Sequence, residues 1–170
     1  AVSLQAVLCE VFVNQYIIGI LLFVQIFIWK KRYRILHKKE VEYMEIGIKN
    51  TQKTVVSEKD TALAHGSGTL RVYATPAMIA LMENTAMNLA APYLSDDEAT
   101  VGTEINIKHA SATPVGGAVS CEAELIEEDG RCLVFKVSAF DDKGIIGEGT
   151  HKRFIIKIEK FLVKTYDKLK

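Results

Sequence analysis

Glu83 is the only ionisable side chain in residues 76–91 (PAMIALMENTAMNLAA), a run of apolar and small residues that reads as a helix. One turn to either side stand Ile79, Ala80, Ala86 and Met87, so the carboxylate has no charged neighbour on its own helix. A helix that is apolar all round is normally buried, and a Glu in such a place is costly unless it is paired, hydrogen-bonded or protonated. Two readings follow. Glu83 is a structural ion pair or a cap for another segment, or it is a carboxylate whose low-dielectric setting serves chemistry.

A histidine and a threonine could join it. Residues 101–109 alternate, with Val101, Thr103, Ile105, Ile107 and His109 on one face and Gly102, Glu104, Asn106 and Lys108 on the other. His109 therefore extends an inward apolar row, either as a core histidine satisfied by a carbonyl or as a general acid/base. Thr75 precedes Pro76 and is the expected helix N-cap. Its hydroxyl could instead turn toward a carboxylate or a substrate. His151 follows Gly149-Thr150 and shares a mixed face with Arg153, where a solvated or interface role is expected.

These side chains need elements to hold them. Residues 46–56 alternate loosely as a strand, 57–68 form a polar connection, and 69–74 read as a short strand. The helix ends at Pro92, and an acidic loop at 95–98 follows. Four strands are then expected at 101–109, 118–127, 131–140 and 145–158, with turns at Asp129-Gly130 and Lys143-Gly144. One long central helix wrapped by an antiparallel sheet is the α+β arrangement called the hot-dog fold. A lone helix cannot cover every strand face, so a homodimer is expected.

At 170 residues, 49% hydrophobic and 25% charged, the chain suits one globular domain with an appendage. The zero net charge hides an asymmetry: residues 1–43 hold six Lys/Arg and three acids, leaving 15 and 18 for residues 44–170. The body is mildly acidic and lacks a basic stripe, which argues against a nucleic-acid partner. Three cysteines without metal-ligand spacing fit a reducing compartment, so a cytoplasmic protein without a metal is expected.

The appendage, residues 1–43, contains an uncharged stretch at 11–29 followed by Lys30, Lys31, Arg32 and Arg34. Taken literally it is a single membrane span with its C-terminal side in the cytoplasm. A competing expectation is that residues 1–43 are translated leader. Met44 is the first methionine, and Lys39-Glu40-Val41 can be encoded by AAG GAG GTN, a ribosome-binding sequence just upstream. The globular domain is then 44–170.

Taken together, the motifs resemble a known family. Ala74-Thr75, Leu81-Met82-Glu83, Ala91-Pro92-Tyr93-Leu94, Val101-Gly102-Thr103, His109-Ala110 and Thr113-Pro114 are similar to the fluoroacetyl-CoA thioesterase-like hot-dog proteins. So are Val137-Ser138-Ala139, Gly149-Thr150-His151-Lys152-Arg153 and Ile158-Glu159-Lys160-Phe161. The resemblance runs from Met44 to Lys164 and implies hydrolysis of a small acyl-CoA thioester by a catalytic Thr75, Glu83 and His109. It also implies that Gly102 and Arg153 line the acyl and thioester end of the pocket, with no cofactor beyond the CoA of the substrate. The alternative is a non-catalytic module that binds acyl-CoA. One departure stands out: the family's fluoroacetyl-CoA enzyme carries phenylalanines in a lid, whereas residues 60–73 contain none. The resemblance therefore extends to acyl-CoA hydrolysis and stops short of fluoroacyl selectivity.

Overall fold

The structure, a computed structural model, describes residues 44–170 and, upstream of them, Gln25 alone. The expected span at 11–29, the rest of the 1–43 segment and Cys9 lie outside the described residues. Residues 44–170 belong to the compact unit Val41–Lys170, and Ala1–Glu40 is a separate unit.

Strand β1 (Lys49–Val55) is followed by a short 3-10 turn and a loop, then by helix α1 (Thr75–Ala90). Four long strands come next: β2 (Glu98–His109), β3 (Ala118–Asp129), β4 (Cys132–Asp141) and β5 (Gly144–Lys157). Helix α2 (Ile158–Tyr166) and a 3-10 turn (Asp167–Leu169) close the described chain. The strands form one antiparallel sheet in the order β1-β3-β4-β5-β2. This is the α+β hot-dog arrangement expected from the sequence.

The core lies where α1 crosses the sheet. Met78, Met82, Ala86 and Leu89, at helical spacing, are buried against Cys121, Ala123 and Leu125 of β3 and Leu133, Phe135 and Val137 of β4. Each such Leu or Met side chain stabilises the fold by about 1.5–3 kcal/mol through burial. The helix is not buried all round, as its composition suggested. Pro76, Ala80, Asn84, Met87 and Asn88 are exposed, because a single sheet covers only one side of a helix.

Three local expectations are corrected. Residues 69–74 make isolated bridges, Thr61 with Tyr73 and Val72 with Pro114, instead of a strand. The strand expected at 145–158 stops at Lys157, and Ile158 opens α2, a helix the sequence reading did not name. Helix α1 ends at Ala90, and Pro92 lies within a further 3-10 turn (Ala91–Tyr93). Cys121 stands opposite Ala139 and Cys132 opposite Asp129, so the two thiols are not cross-strand partners, and both are free. Among the described residues no helix is long and apolar enough to cross a membrane.

Candidate active site

The entrance to α1 is tied down by main-chain bonds. Ala74 N–H donates to the Asp60 carbonyl (2.9 Å) and Tyr73 N–H to the Thr113 carbonyl (2.8 Å). Just past the end of β2, Ala110 N–H donates to the Ile146 carbonyl (2.8 Å). These bonds bring the first residue of α1 beside the last residue of β2. Thr75 Oγ1 stands 2.8 Å from His109 Nδ1. The N-cap is Ala74, in extended conformation, and no side chain caps the helix. The expected capping role of Thr75 is thereby corrected: its hydroxyl serves the imidazole.

His109 is half-buried, as its place at the end of an inward row suggested. Its other nitrogen, Nε2, is shielded from water and has no hydrogen-bond partner. Leaving a buried polar atom unpaired costs roughly 1–3 kcal/mol. Thr75 and His109 line a cavity of about 290 Å³ together with Ala62, Ser67, Val72, Tyr73 and residues 110–112. Burial pushes the Tyr73 phenol up to about 12, so it remains protonated there.

Glu83 lies eight residues further along α1, or about 12 Å along the helix axis at 1.5 Å per residue. It makes neither a hydrogen bond nor an ion pair with His109 among the described residues. Its side chain is 41% exposed, which corrects the expectation of a fully buried carboxylate. The reason is geometric: Glu83 sits at the border between the sheet-facing and the uncovered sides of α1.

Around Glu83 a second cluster forms. Its Oε1 is 3.6 Å from His151 Nε2. A Cβ placed on Gly102 would come within 2.6 Å of that oxygen and 3.1 Å of His151 Cε1. Only a glycine lets the strand approach both groups this closely. Arg153 is 6% exposed and donates through Nε to Thr100 Oγ1 (2.8 Å), through Nη2 to the Thr100 carbonyl (2.9 Å) and through Nη1 to His151 Nε2 (3.0 Å). Burial lowers the pKa of Arg153, with Glu83 opposing that shift.

A β-bulge makes this cluster. Gly102 pairs with Arg153 and Glu104 with Lys152, so Thr103 is an extra residue on β2. Strict alternation had put Gly102 on the face away from His109. The bulge returns Gly102 to the face carrying Ile105, Ile107 and His109, opposite Arg153, His151, Gly149 and Gly147. That face looks toward α1, since a Cβ on Gly147 would meet Met78 Cε at 2.6 Å.

His151 was misplaced by the sequence reading. It is 1% exposed, not solvated. The signal that could have found it is the period-two row Gly147, Gly149, His151, Arg153, in which two glycines mark a face under close cover. Among the described residues no group of three His, Cys, Asp or Glu stands where it could hold a metal ion.

Known proteins share this architecture and sequence. The profile of the family described as "Fluoroacetyl-CoA-specific thioesterase" matches residues 56–159. The fluoroacetyl-CoA thioesterase of Streptantibioticus cattleyicolor is 44% identical over 97 residues, which are 57% of this chain and 70% of that protein. A solved structure of the fluoroacetyl-CoA thioesterase FlK superimposes with a TM-score of 0.71 at 37% identity, covering 75% of this chain and 98% of that one. A hot-dog-like protein from Thermanaerovibrio acidaminovorans, 16% identical, shares the fold with a TM-score of 0.70 over 75% of this chain and 94% of its own.

Proposed function

Since this chain belongs to the fluoroacetyl-CoA-specific thioesterase family and is an acyl-CoA thioester hydrolase, we propose that Glu83 and His109 carry out the hydrolysis of a small acyl-CoA, with Thr75 holding the imidazole. Glu83 attacks the thioester carbonyl or draws a proton from the attacking water. His109 delivers a proton to the departing CoA sulfur as the C–S bond breaks. Gly102 gives the acyl end room beside the carboxylate, and Arg153 keeps a positive charge near it. No cofactor beyond the substrate's own CoA enters these steps.

The observation that carries this reading is the Thr75–His109 pair. A histidine with one nitrogen anchored at 2.8 Å and the other shielded and unpartnered, on the wall of a cavity, is arranged to exchange a proton with a ligand. The absence of any Phe from residues 60–73, which supply Ala62, Ser67, Val72 and Tyr73 to that wall, favours a general small acyl group over a fluorinated one.

The separation of Glu83 from His109 supports a second element of the proposal. Thr75, which holds His109 at 2.8 Å, and Glu83 stand about 12 Å apart along one helix, too far for Glu83 and that imidazole to serve one carbonyl and its adjacent sulfur. The active unit is a homodimer in which the uncovered side of α1 meets its counterpart, so that Glu83 of one copy works with Thr75 and His109 of the other. Activity resides in domain 44–170 in the cytoplasm, and any membrane attachment depends on residues 11–29.

A panel of short, branched and aromatic acyl-CoAs, assayed by thiol release, tests the reading. Turnover of short acyl-CoAs is expected. Tight binding of acyl-CoA without turnover of any member would overturn it in favour of a non-catalytic binding module.

A further inference from the structure

His151 is a buried titratable group beside Glu83 that the proposed steps leave unused. Its Nδ1 is 2.9 Å from the Glu104 main-chain carbonyl. A carbonyl only accepts, so Nδ1 carries the proton and, in the neutral ring, Nε2 is a bare lone pair. Arg153 Nη1–H donates into that lone pair at 3.0 Å.

We propose that His151 is a positioning residue for Glu83: as a neutral ring it engages Arg153 through Nε2, and so keeps both the cation and a competing N–H off the carboxylate. The proposal rests on the reading of Glu83 as the reacting group.

The geometry supports it from three sides. Glu83 Oε1 lies 3.6 Å from the same Nε2, which has no proton to offer it. The Arg153 guanidinium reaches the Glu83 main-chain carbonyl at 3.4 Å, while its other bonds go to Thr100 and His151. A buried cation thus sits beside Glu83 with its side-chain donors directed elsewhere, and neither carboxylate oxygen takes a bond from it. Gly102, lacking a Cβ, leaves room for both Glu83 Oε1 and the His151 ring.

Protonation would undo this. An Nε2–H cannot accept from Arg153, and it would pair with Glu83 instead. The groups facing His151 decide how readily that happens. From α1 comes Glu83, and on β5 itself comes Arg153. From β2 comes the Glu104 carbonyl, whose own carboxylate is ion-paired with Lys152 at 3.0 Å. From β4 comes Phe135, the apolar cross-strand neighbour. Burial is the largest influence and holds His151 below its usual 6.5; the Glu104 carbonyl opposes it, Arg153 adds to it, and Glu83 opposes it.

Two variants of the full chain test the proposal. In His151→Gln the amide nitrogen can donate to the Glu104 carbonyl and the amide oxygen can accept from Arg153, but the side chain takes no proton. In His151→Phe a flat, somewhat larger ring is kept and both bonds are lost. Expected for His151→Gln is kcat within about tenfold of wild type and an acid limb of kcat/KM moved to lower pH. Expected for His151→Phe is a kcat loss on the order of 100-fold with KM little changed, as for a misplaced reacting group. A His151→Gln acid limb that superimposes on the wild-type limb would overturn the proposal, as would normal kcat in folded His151→Phe. Glu83→Gln separates the two levels: if it retains normal turnover, the reading of Glu83 itself fails; if it is inactive while His151→Gln leaves the pH profile unchanged, only the role of His151 fails.

Discussion

The two ends of the same helix stretch are built on opposite principles. At the N-terminal end, Thr75 and His109 form a two-residue unit on a cavity wall, with one 2.8 Å contact and one shielded, unpartnered nitrogen. Two turns on, Glu83 stands above a network of His151, Arg153 and Thr100 in which almost every donor is engaged. In the proposed mechanism the first region supplies the proton carrier. The second holds a charge in place and keeps its neighbours occupied. The proposed roles would need such a division: a proton carrier needs an open valence, whereas a reacting carboxylate needs a fixed direction and a free lone pair.

The comparison breaks most visibly if both regions are not equally necessary. Glu83→Gln, which keeps the side-chain volume, and His109→Ala are each expected to lower thioester turnover by roughly 10²–10⁴-fold, the usual worth of a positioned acid or base. The double variant should be little worse than the poorer single one, because groups acting as a unit lose activity non-additively. Additive losses would mean that the two regions work independently.

Gly102→Ala probes the crowded region alone. The added methyl would displace Glu83 Oε1, the far end of a flexible side chain, and press on the His151 ring. A drop in kcat of roughly 10–100-fold is expected, as for a displacement of about 1 Å at a reacting group, with the fold kept by circular dichroism. Unchanged kcat would show that the carboxylate's position tolerates movement.

Thr75→Ala probes the open region more gently. A loss of roughly threefold to tenfold in kcat is expected, the worth of one neutral hydrogen bond. Stability should fall by roughly 0.5–1.5 kcal/mol, the worth of the bond to His109, since Thr75 caps nothing. A large loss of stability would restore the capping role that the sequence suggested.

The smallest effect concerns pH. His151 titrates below 6.5 in the folded protein because burial disfavours its charged form. The unfolded chain therefore binds the proton first as pH falls, so this group's contribution is fully present above pH 6.5 and is lost as pH falls through the folded value. Denaturant unfolding of His151→Gln should show a flatter pH dependence than wild type below that point. Parallel curves would remove His151 from the acid sensitivity.

The open region was legible in the sequence and the crowded one only half so. His109 ends an alternating strand and Glu83 is the lone charge of an apolar helix, so pattern alone singles out both. The hot-dog order of elements follows from the same periodicities. Gly102 was placed on the wrong face because a bulge at Thr103 adds a residue without any break in the sequence pattern. His151 was misread because its burial comes from α1 and β2, which are far from it in sequence. Helix α2 went unnamed because Lys157 and Ile158 pass from strand to helix with no glycine or proline between them to mark its start. The loop at 69–74 has strand-like residues but bonds only through single bridges and the main chain of Thr113.

Subunit mixing tests most directly whether the two regions meet across two copies of the chain. Glu83→Gln and His109→Ala chains, carrying different tags, would be co-expressed and the mixed dimers purified through both tags. In a two-fold dimer whose sites each combine Glu83 of one copy with His109 of the other, a mixed dimer has one intact site and one doubly altered site. Its expected turnover is about half that of wild type, while either parent dimer shows almost none. Mixed dimers as inactive as their parents would place Glu83 and His109 of each site on a single chain and contradict the account.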